Sequence, residues 1–287
     1  MVNYIKEQVK KLHINLKDEQ CEQLLKYYNM LIEYNNKCNL TAITDFKEVV
    51  LKHFVDSLSI VYIYDMNTDA SVVDIGTGAG FPGIPLKIAF PRLEMTLVDS
   101  LDKRVSFLNN VIKELSLDNC KAIHIRAEEY GHSKARESFD LCVTRAVSNL
   151  SVISEYCLPL VKPGGYFIPY KGSSVKEEIS EYEIAVEELG GAIDDVAIYE
   201  LPDSDIARSL ILIYKDRDTP KKYPRRNGIH TKRPISENVS RETFYEGCDK
   251  SVSMFHVKHF CNSSTYNQHC VLIHASMTRS QYRLWLL

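Results

Sequence analysis

The spacing of hydrophobic residues changes near residue 70 and divides the chain into parts of different character. Before that point, Leu24, Tyr28 and Leu31 recur at helical intervals, and Asp18 stands where an N-cap residue is expected. This pattern predicts a helical N-terminal segment over residues 1–66.

From residue 71 onward, short apolar runs typical of buried strands alternate with longer amphipathic stretches typical of helices. The predicted strands are residues 72–75, 95–98, 122–125, 141–143, 166–169 and 210–214. The predicted helices include residues 103–115 and 175–189. Such alternation favours parallel strands joined by right-handed crossovers, so we predict an α/β domain with a Rossmann-like, doubly wound sheet over residues 67–216.

Two further segments follow this domain. Residues 217–233 carry seven Lys and Arg against a single Asp, with Tyr223 among them. A charged run is usually a solvated surface, but this one is unbalanced in an acidic chain, so we predict that residues 217–236 contact phosphate. From residue 237 the periodicity is lost, and we expect residues 237–287 to be disordered.

The tail also has an unusual coding potential. VSRET at 239–243 and MFHVKH at 254–259 can both be encoded through the DNA palindrome GTTTCACGTGAAAC, read in two frames. This palindrome resembles a bacterial chromosome-partitioning site, so we interpret the tail as coding sequence that runs through DNA elements. Its Cys and His residues lack the spacing of metal ligands, and we expect no metal site.

The composition of the whole chain narrows the class of protein. The formal net charge is -3, which argues against a globally basic nucleic-acid binder but permits a local basic surface. No stretch reaches the roughly 18 apolar residues of a membrane span, and the N-terminus has no signal-peptide hydrophobic region. The eight cysteines include no CxxC pair, so we expect a cytoplasmic protein with free thiols, Cys142 and Cys157 being buried.

The first predicted strand runs into a glycine-rich turn, DIGTGAGFP, at residues 74–82. Gly76, Gly78 and Gly80 have no Cβ, so the turn can adopt positive φ angles and let a ligand approach the main chain. Ligands of open α/β sheets bind at this carboxyl edge, where the strand order reverses. A tight turn without a ligand is the alternative interpretation of the glycines alone.

Acidic residues indicate which ligand the turn binds. Asp74 would repel a pyrophosphate but suits hydroxyl or ammonium groups, and Asp99 is placed to accept hydrogen bonds from ribose hydroxyls. The GxGxG spacing also differs from the GxGxxG of dinucleotide sites. These features favour S-adenosylmethionine, a nucleoside with a cationic amino-acid tail, over a nicotinamide cofactor. Glu128, after the third predicted strand, either borders the adenine or is a solvated acid.

The same motifs resemble those of a known family. Over residues 1 to about 235 the chain resembles the RsmG (GidB) family, bacterial methyltransferases that modify guanine N7 in 16S ribosomal RNA. The matching stretches are NLTAITDFKEVVLKHFVDS (39–57), DIGTGAGFPGIPLKIAFP (74–91), LVDSLDKRVSFL (97–108), RAEEYG (126–131), VTRAVSNL (143–150), LPLVKPGGYF (158–167) and TPKKYPRRNG (219–228).

The resemblance implies S-adenosylmethionine contacts along the carboxyl edge of the sheet. The implied residues are Gly76, Phe81, Asp99, Ser100, Leu101, Ala127, Glu128 and Arg145, and the glycine turn itself adds Asp74, Thr77, Gly78 and Gly80. Two positions depart from the family pattern. Tyr34 stands where the family usually has Trp, and His230 stands where it usually has Pro in the basic segment.

Methylation of guanine N7 needs no general base, because this nitrogen carries a lone pair and no proton. The chain has no convincing base dyad, which agrees with that reaction, and it lacks the Asn/Asp-Pro-Pro-aromatic motif of adenine N6 enzymes. We therefore assign no catalytic residue. We expect the enzyme to act by holding N7 in line with the methyl group.

Cationic residues are the candidates for substrate contact. Arg145 is expected to orient the guanine or the methionine carboxylate, with a salt bridge to a neighbouring acid as the alternative. His53 and Asp56 either close the pocket from the helical segment or pack within it. The candidate RNA contacts are Lys171, Lys221, Lys222, Arg225 and Arg226.

The expected partner is 16S ribosomal RNA or the small-subunit particle, with no membrane contact and a monomeric state. Two other functions stay open from the sequence. One is a small-molecule methyltransferase, and the other is a non-catalytic RNA-binding module that retains the nucleotide pocket.

Overall fold

The computed structural model describes residues 1–36, 38–145, 148–236 and 257–260 of the chain. The helices are α1 (Val2–Lys10), α2 (Asp18–Asn35), α3 (Phe46–Val49), α4 (Asp56–Leu58), α5 (Gly83–Ala89), α6 (Asp102–Glu114), α7 (Ala127–Tyr130), α8 (Leu150–Cys157), α9 (Val175–Glu188) and α10 (Ile229–Lys232). A π-helix (Val50–Val55) joins α3 to α4, and short 3₁₀ turns occupy Ser59–Tyr62 and Leu158–Leu160. The strands are β1 (Ser71–Ile75), β2 (Glu94–Asp99), β3 (Cys120–His124), β4 (Phe139–Arg145), β5 (Val161–Lys171), β6 (Gly191–Glu200), β7 (Ala207–Lys215) and β8 (Val257–Phe260).

These strands form one sheet in the order β3-β2-β1-β4-β5-β7-β6-β8. The first five are mutually parallel, whereas β7 runs antiparallel to both β5 and β6. The prediction of an α/β, Rossmann-like sheet is confirmed. The strand order reverses between β1 and β4, which places the expected ligand site at their carboxyl ends.

The sequence prediction did not include strand β6. It was also wrong in treating the strand at residues 210–214 as parallel to the others, because β7 is antiparallel to its neighbours. In GAIDDVAIYE, two Asp residues interrupt the apolar alternation, and the register with β7 shifts between Ile193 and Asp195. A bulge of this kind changes the phase of the side chains along the strand. Because residues 201–206 are too few for a crossover, β6 and β7 form an antiparallel hairpin instead of parallel strands.

The N-terminal segment is helical and packs directly on the glycine turn. Helix α2 begins at Asp18 with Lys17 as its N-cap, so Asp18 lies in the first turn and is not the cap. The buried tyrosine of this helix is Tyr27 and not Tyr28, which is only partly buried. The Tyr27 hydroxyl donates a 2.6 Å hydrogen bond to the Ala79 carbonyl, inside the turn.

The basic segment 217–236 is joined to the rest of the fold through buried contacts. The fully buried ammonium group of Lys215, at the end of β7, donates to the Thr219 hydroxyl within the segment. Arg136 donates to the carbonyls of Thr219 and Tyr223, at 2.7 and 2.9 Å. These bonds fix the start of the segment.

The expectation of a disordered tail falls almost entirely outside the described residues. Within residues 237–287 the structure describes only β8, which pairs in parallel with β6. Among the cysteines that the structure describes, all are free thiols, and Cys142 and Cys157 are buried as predicted. No helix in the described ranges is long and apolar enough to cross a membrane.

We predict that Gly80→Ala lowers the free energy of unfolding by about 2–4 kcal/mol. Gly80 has a φ of +108°, and an added Cβ would lie 2.6 Å from Ile84 Cγ1 and 2.8 Å from the Tyr27 hydroxyl oxygen. Gly172→Ala is the matched control, because its added Cβ would meet no atom within 4 Å. Urea unfolding measures both variants, and equal stabilities would contradict the packing described here.

Candidate active site

The candidate site lies at the carboxyl edge of β1, β2 and β4, where the strand order reverses. All three glycines of the turn have positive φ: +70° at Gly76, +60° at Gly78 and +108° at Gly80. Their roles differ, because a Cβ at Gly78 would meet only the Gly76 carbonyl oxygen, at 4.0 Å, whereas Gly80 is closely packed. Gly78 therefore borders open space that a ligand can occupy, and Gly80 serves packing.

Asp74, in β1, stabilises the glycine turn through hydrogen bonds. Its Oδ2 accepts hydrogen bonds from the Thr77 hydroxyl at 2.6 Å and the Gly83 amide at 2.9 Å. Its Oδ1 is buried and has no hydrogen-bond partner in the protein. Because burial disfavours the charged carboxylate, the pKa of Asp74 is raised to about 6. An unpartnered buried oxygen of this kind fits a cationic or hydroxyl-bearing ligand.

Asp99, at the end of β2, organises the second part of the edge. Its Oδ2 accepts from the Gly78 amide at 2.9 Å and its Oδ1 from the Leu101 amide at 2.9 Å. Arg104 lies 3.3 Å from the same carboxylate. The next residue, Ser100, is exposed, and the Leu101 side chain is 52% exposed, an apolar surface beside the turn. An exposed Leu next to a fixed carboxylate suits the flat face of a nucleoside and its ribose hydroxyls.

Ala127 and Glu128 begin α7, next along the edge after β3. Glu128 is only 9% exposed, so it is not the solvated acid of the alternative interpretation. In the neighbouring helix α8, burial raises the pKa of Tyr156 to about 12, and the negative charge of Glu128 contributes to this increase. The unpartnered Asp74 oxygen, the open Gly78 and the exposed Leu101 together fit S-adenosylmethionine.

Arg145 is the last residue of β4, and its guanidinium contacts several other groups of the site. Its Nη1 lies 3.1 Å from Asp56 Oδ2 and 3.4 Å from the carbonyl oxygens of Lys52 and His53. Both carbonyls belong to the π-helix, a rare element that occurs most often at functional sites. The structure therefore shows the salt bridge that sequence reasoning kept as the alternative role of Arg145.

Asp56 is shared between two arginines. Its side chain is 4% exposed, and Arg208 Nε lies 3.2 Å from each of its oxygens, opposite Arg145. Arg208 was not identified from the sequence. It begins an antiparallel strand that carries no motif, and it lies 152 residues from Asp56 along the chain.

His53 lies on Phe81, next to Arg145. The two ring centroids are 4.4 Å apart with an interplanar angle of 20°, and the Arg145 guanidinium carbon is 5.2 Å from the Phe81 centroid. His53 Nε2 is 3.0 Å from the Thr41 hydroxyl oxygen. Burial, together with the nearby Arg145 charge, lowers the pKa of His53 to about 4, so its ring is neutral at physiological pH.

Two of the predicted RNA contacts, Lys171 and Arg225, lie in ion pairs that are largely shielded from solvent. Lys171 is paired with Glu178 at 2.7 Å, and its side chain is 10% exposed. Arg225 binds the fully buried Glu155 through Nη2 at 2.6 Å and Nε at 2.9 Å, and its backbone amide donates to the same carboxylate at 2.6 Å. The guanidinium of Arg225 is therefore bonded within the protein.

The other predicted contacts face solvent. Lys221 and Arg226 are exposed, while Lys222 is 57% exposed, lies 2.9 Å from Glu188 and sits over the Tyr223 ring at 5.0 Å. The exposed cations therefore lie on both sides of the anchored Arg225.

Three residues that were not singled out from the sequence complete the site, and one of them, Thr41, lies within the matching stretch 39–57. Tyr27 holds the glycine turn, Thr41 holds His53, and Arg208 shares Asp56. A helical stripe contains Tyr27, yet the same stripe accommodates Tyr28 equally well, so spacing alone does not select between them. No group of His, Cys, Asp and Glu suited to a metal ion occurs in the part of the chain that the structure describes.

The raised pKa of Asp74 predicts that binding of S-adenosylmethionine weakens in acid. Protonation below a pKa of about 6 removes the negative charge that suits the cationic ligand, so affinity at pH 5 should be about tenfold lower than at pH 8. Isothermal titration calorimetry at several pH values measures this dependence. Asp74→Asn should bind weakly at every pH in this range, and a pH-independent wild-type affinity would contradict the role of Asp74.

Comparison with known proteins agrees with this geometry. The family model GidB, rRNA small subunit methyltransferase G, matches residues 20–202. A protein named Ribosomal RNA small subunit methyltransferase G from Lachnoclostridium phytofermentans is 50% identical over 79% of this chain and 94% of its own length. The protein of the same name from Staphylococcus aureus is 48% identical over 82% of this chain and 99% of its own length. This chain belongs to the GidB family of rRNA small subunit methyltransferases.

Proposed function

We propose that the protein methylates N7 of a guanine in 16S ribosomal RNA, with S-adenosylmethionine as methyl donor and without a general base. We also propose that it acts as a cytoplasmic monomer. The observation that carries the proposal is the site itself. The glycine turn, His53 and Arg145 all lie within the residues that the family model matches.

The acid–base properties of the site support N7 as the nucleophile. His53 has a pKa of about 4, which makes it a poor proton acceptor at neutral pH. Asp56 is held between two guanidinium groups. Asp74 has a pKa of about 6, and its Oδ2 already accepts hydrogen bonds from the Thr77 hydroxyl and the Gly83 amide. A nucleophile that carries no proton suits this set of groups, and guanine N7 is such an atom.

The residues of the edge then act by orientation. The bound donor supplies a methyl group on a cationic sulfur. Arg145, fixed by Asp56 and by two π-helix carbonyls, is placed to donate to an acceptor on the guanine edge, since Arg recognises O6 of guanine well. Such positioning can lower the barrier by several kcal/mol without proton transfer.

The two alternative functions make different demands on the surface. A small-molecule methyltransferase has no need of Lys221 and Arg226, the exposed cations beside an anchored segment. A non-catalytic RNA-binding module that retains the nucleotide pocket would keep the unpartnered Asp74 oxygen as well, and it would differ only in transferring no methyl group. The proposed methyltransferase uses both features.

A transfer assay is expected to yield methylated 16S ribosomal RNA. The purified protein is incubated with labelled S-adenosylmethionine and either 16S RNA or small-subunit particles from cells that lack this gene. Borohydride and aniline treatment, which cleaves RNA at 7-methylguanosine, should map a single guanine. Label confined to small molecules would indicate the small-molecule alternative, and no transfer to any acceptor would indicate the binding module.

The exposed cations of the basic segment are expected to contribute to RNA binding. Lys221→Ala/Arg226→Ala should weaken RNA binding and lower the slope of log affinity against log salt by about 1.4, because each lost phosphate contact changes it by roughly 0.7. Filter binding at several salt concentrations measures the slope. Lys10→Ala/Lys113→Ala, which removes two exposed charges elsewhere, is the control and should leave the slope unchanged. An unchanged slope in the first variant would exclude these contacts.

Arg225 is left out of that variant for a structural reason. Its replacement by Ala would leave the Glu155 carboxylate buried without a charged partner, a change that typically costs about 3–5 kcal/mol of stability. A loss of RNA binding in Arg225→Ala would therefore report a displaced segment as readily as a lost contact.

A further inference from the structure

Two stacked rings lie at the edge where the methyl group must be transferred. Phe81, in the glycine turn, is 7% exposed and packs against Tyr27 and Phe54, with centroid distances of 5.5 and 6.3 Å. His53 stacks on Phe81 and is the more exposed of the two rings. The imidazole is therefore the outer member of the stack.

The bonds that hold His53 leave its faces free. Its Nε2 is bonded to the Thr41 hydroxyl at 3.0 Å, and its Nδ1 lies 3.4 Å from Arg145 Nη2. Partners of ring nitrogens lie near the plane of the ring, so they fix its orientation without covering the face opposite Phe81. A ring that is locked in plane and stacked on one side is suited to stack a further ring on the other.

The charge of this ring also matters for the reaction. Methylation at N7 gives the guanine ring a positive charge, and the donor is already cationic. A protonated imidazole in van der Waals contact would repel both, whereas a neutral aromatic ring attracts a cation through its π face. The burial of His53, together with the neighbouring Arg145 charge, lowers the pKa of the ring and keeps it neutral.

We propose that His53 is the platform on which the target guanine stacks, with Arg145 beside it to bind the guanine edge. This inference rests on the proposed function and names the group that receives the base. Stacking of a nucleobase on an aromatic side chain is a general means of holding an unstacked base outside an RNA helix.

Two substitutions separate stacking from hydrogen bonding. His53→Phe keeps an aromatic ring and loses both ring-nitrogen bonds, whereas His53→Gln keeps polar atoms for Thr41 and Arg145 and loses the ring. The assay is single-turnover and steady-state methylation of small-subunit particles from cells that lack this gene. If the ring stacks the guanine, His53→Phe should stay within about fivefold of wild-type kcat/KM, and His53→Gln should fall by about 10- to 100-fold.

The reverse ranking, with His53→Gln active and His53→Phe inactive, would overturn the proposal and assign His53 to the positioning of Arg145. Two equally active or equally inactive variants would overturn it as well. Thr41→Val removes one ring-nitrogen bond and keeps the platform, so its kcat/KM should fall between those of wild type and His53→Gln. Binding of S-adenosylmethionine by calorimetry should be the same in all variants, which shows that the donor site is intact.

A variant that does not fold is replaced by its nearest equivalent, His53→Tyr for the ring and His53→Asn for the polar atoms, with the same expected ranking. Failure of the inference is distinct from failure of the proposed function. A wild-type protein that transfers no methyl group to the particle would refute the function, whereas an active wild type with the reverse ranking refutes only the role of His53.

Discussion

One buried carboxylate, that of Asp56, joins the parts from which the site is built. It comes from the N-terminal helical segment and binds Arg145 at the end of β4 and Arg208 at the start of β7. Without it, two guanidinium groups would lie close together with no counter-charge, and such an arrangement is strongly unfavourable. The helical segment is consequently part of the candidate site and not an appendage to the sheet.

The N-terminal helical segment also contacts the glycine turn. Tyr27 donates to the Ala79 carbonyl, and His53 covers Phe81, so two side chains of the segment fix the turn from one side. Asp74 fixes it from the other through Thr77. A turn that is held on both sides presents its main chain to the donor in a fixed geometry, and a methyl transfer that depends on alignment requires such rigidity.

Buried ionisable groups at the site affect stability in opposite directions as pH changes. The folded-state pKa of His53 is lowered from 6.5 to about 4, so it contributes stability above pH 6.5 that is lost as pH falls towards 4. The pKa of Asp74 is raised from 3.8 to about 6, so its contribution is present below pH 3.8 and is lost as pH rises through 6. Between about pH 4 and pH 6 the two contributions to stability therefore change with pH in opposite directions.

The extent to which the sequence predicts this protein follows from the range of each interaction. The turn at residues 74–82 and the strands beside it were predicted because their signals are local. Arg208, Tyr27 and the bulged β6 were missed, since each is defined by partners far away in the chain.

The basic segment shows the same limit. Counting charges treats Arg225 and Arg226 alike, yet Arg225 is bound to Glu155 and Arg226 is exposed. His230, which replaces the usual proline, is 1% exposed and bonds to the Tyr156 hydroxyl, so a side-chain bond anchors the segment where a rigid ring was expected. An anchor of this kind holds the exposed cations in fixed positions, and the proposed phosphate binding would then cost less conformational entropy than it would from a free tail.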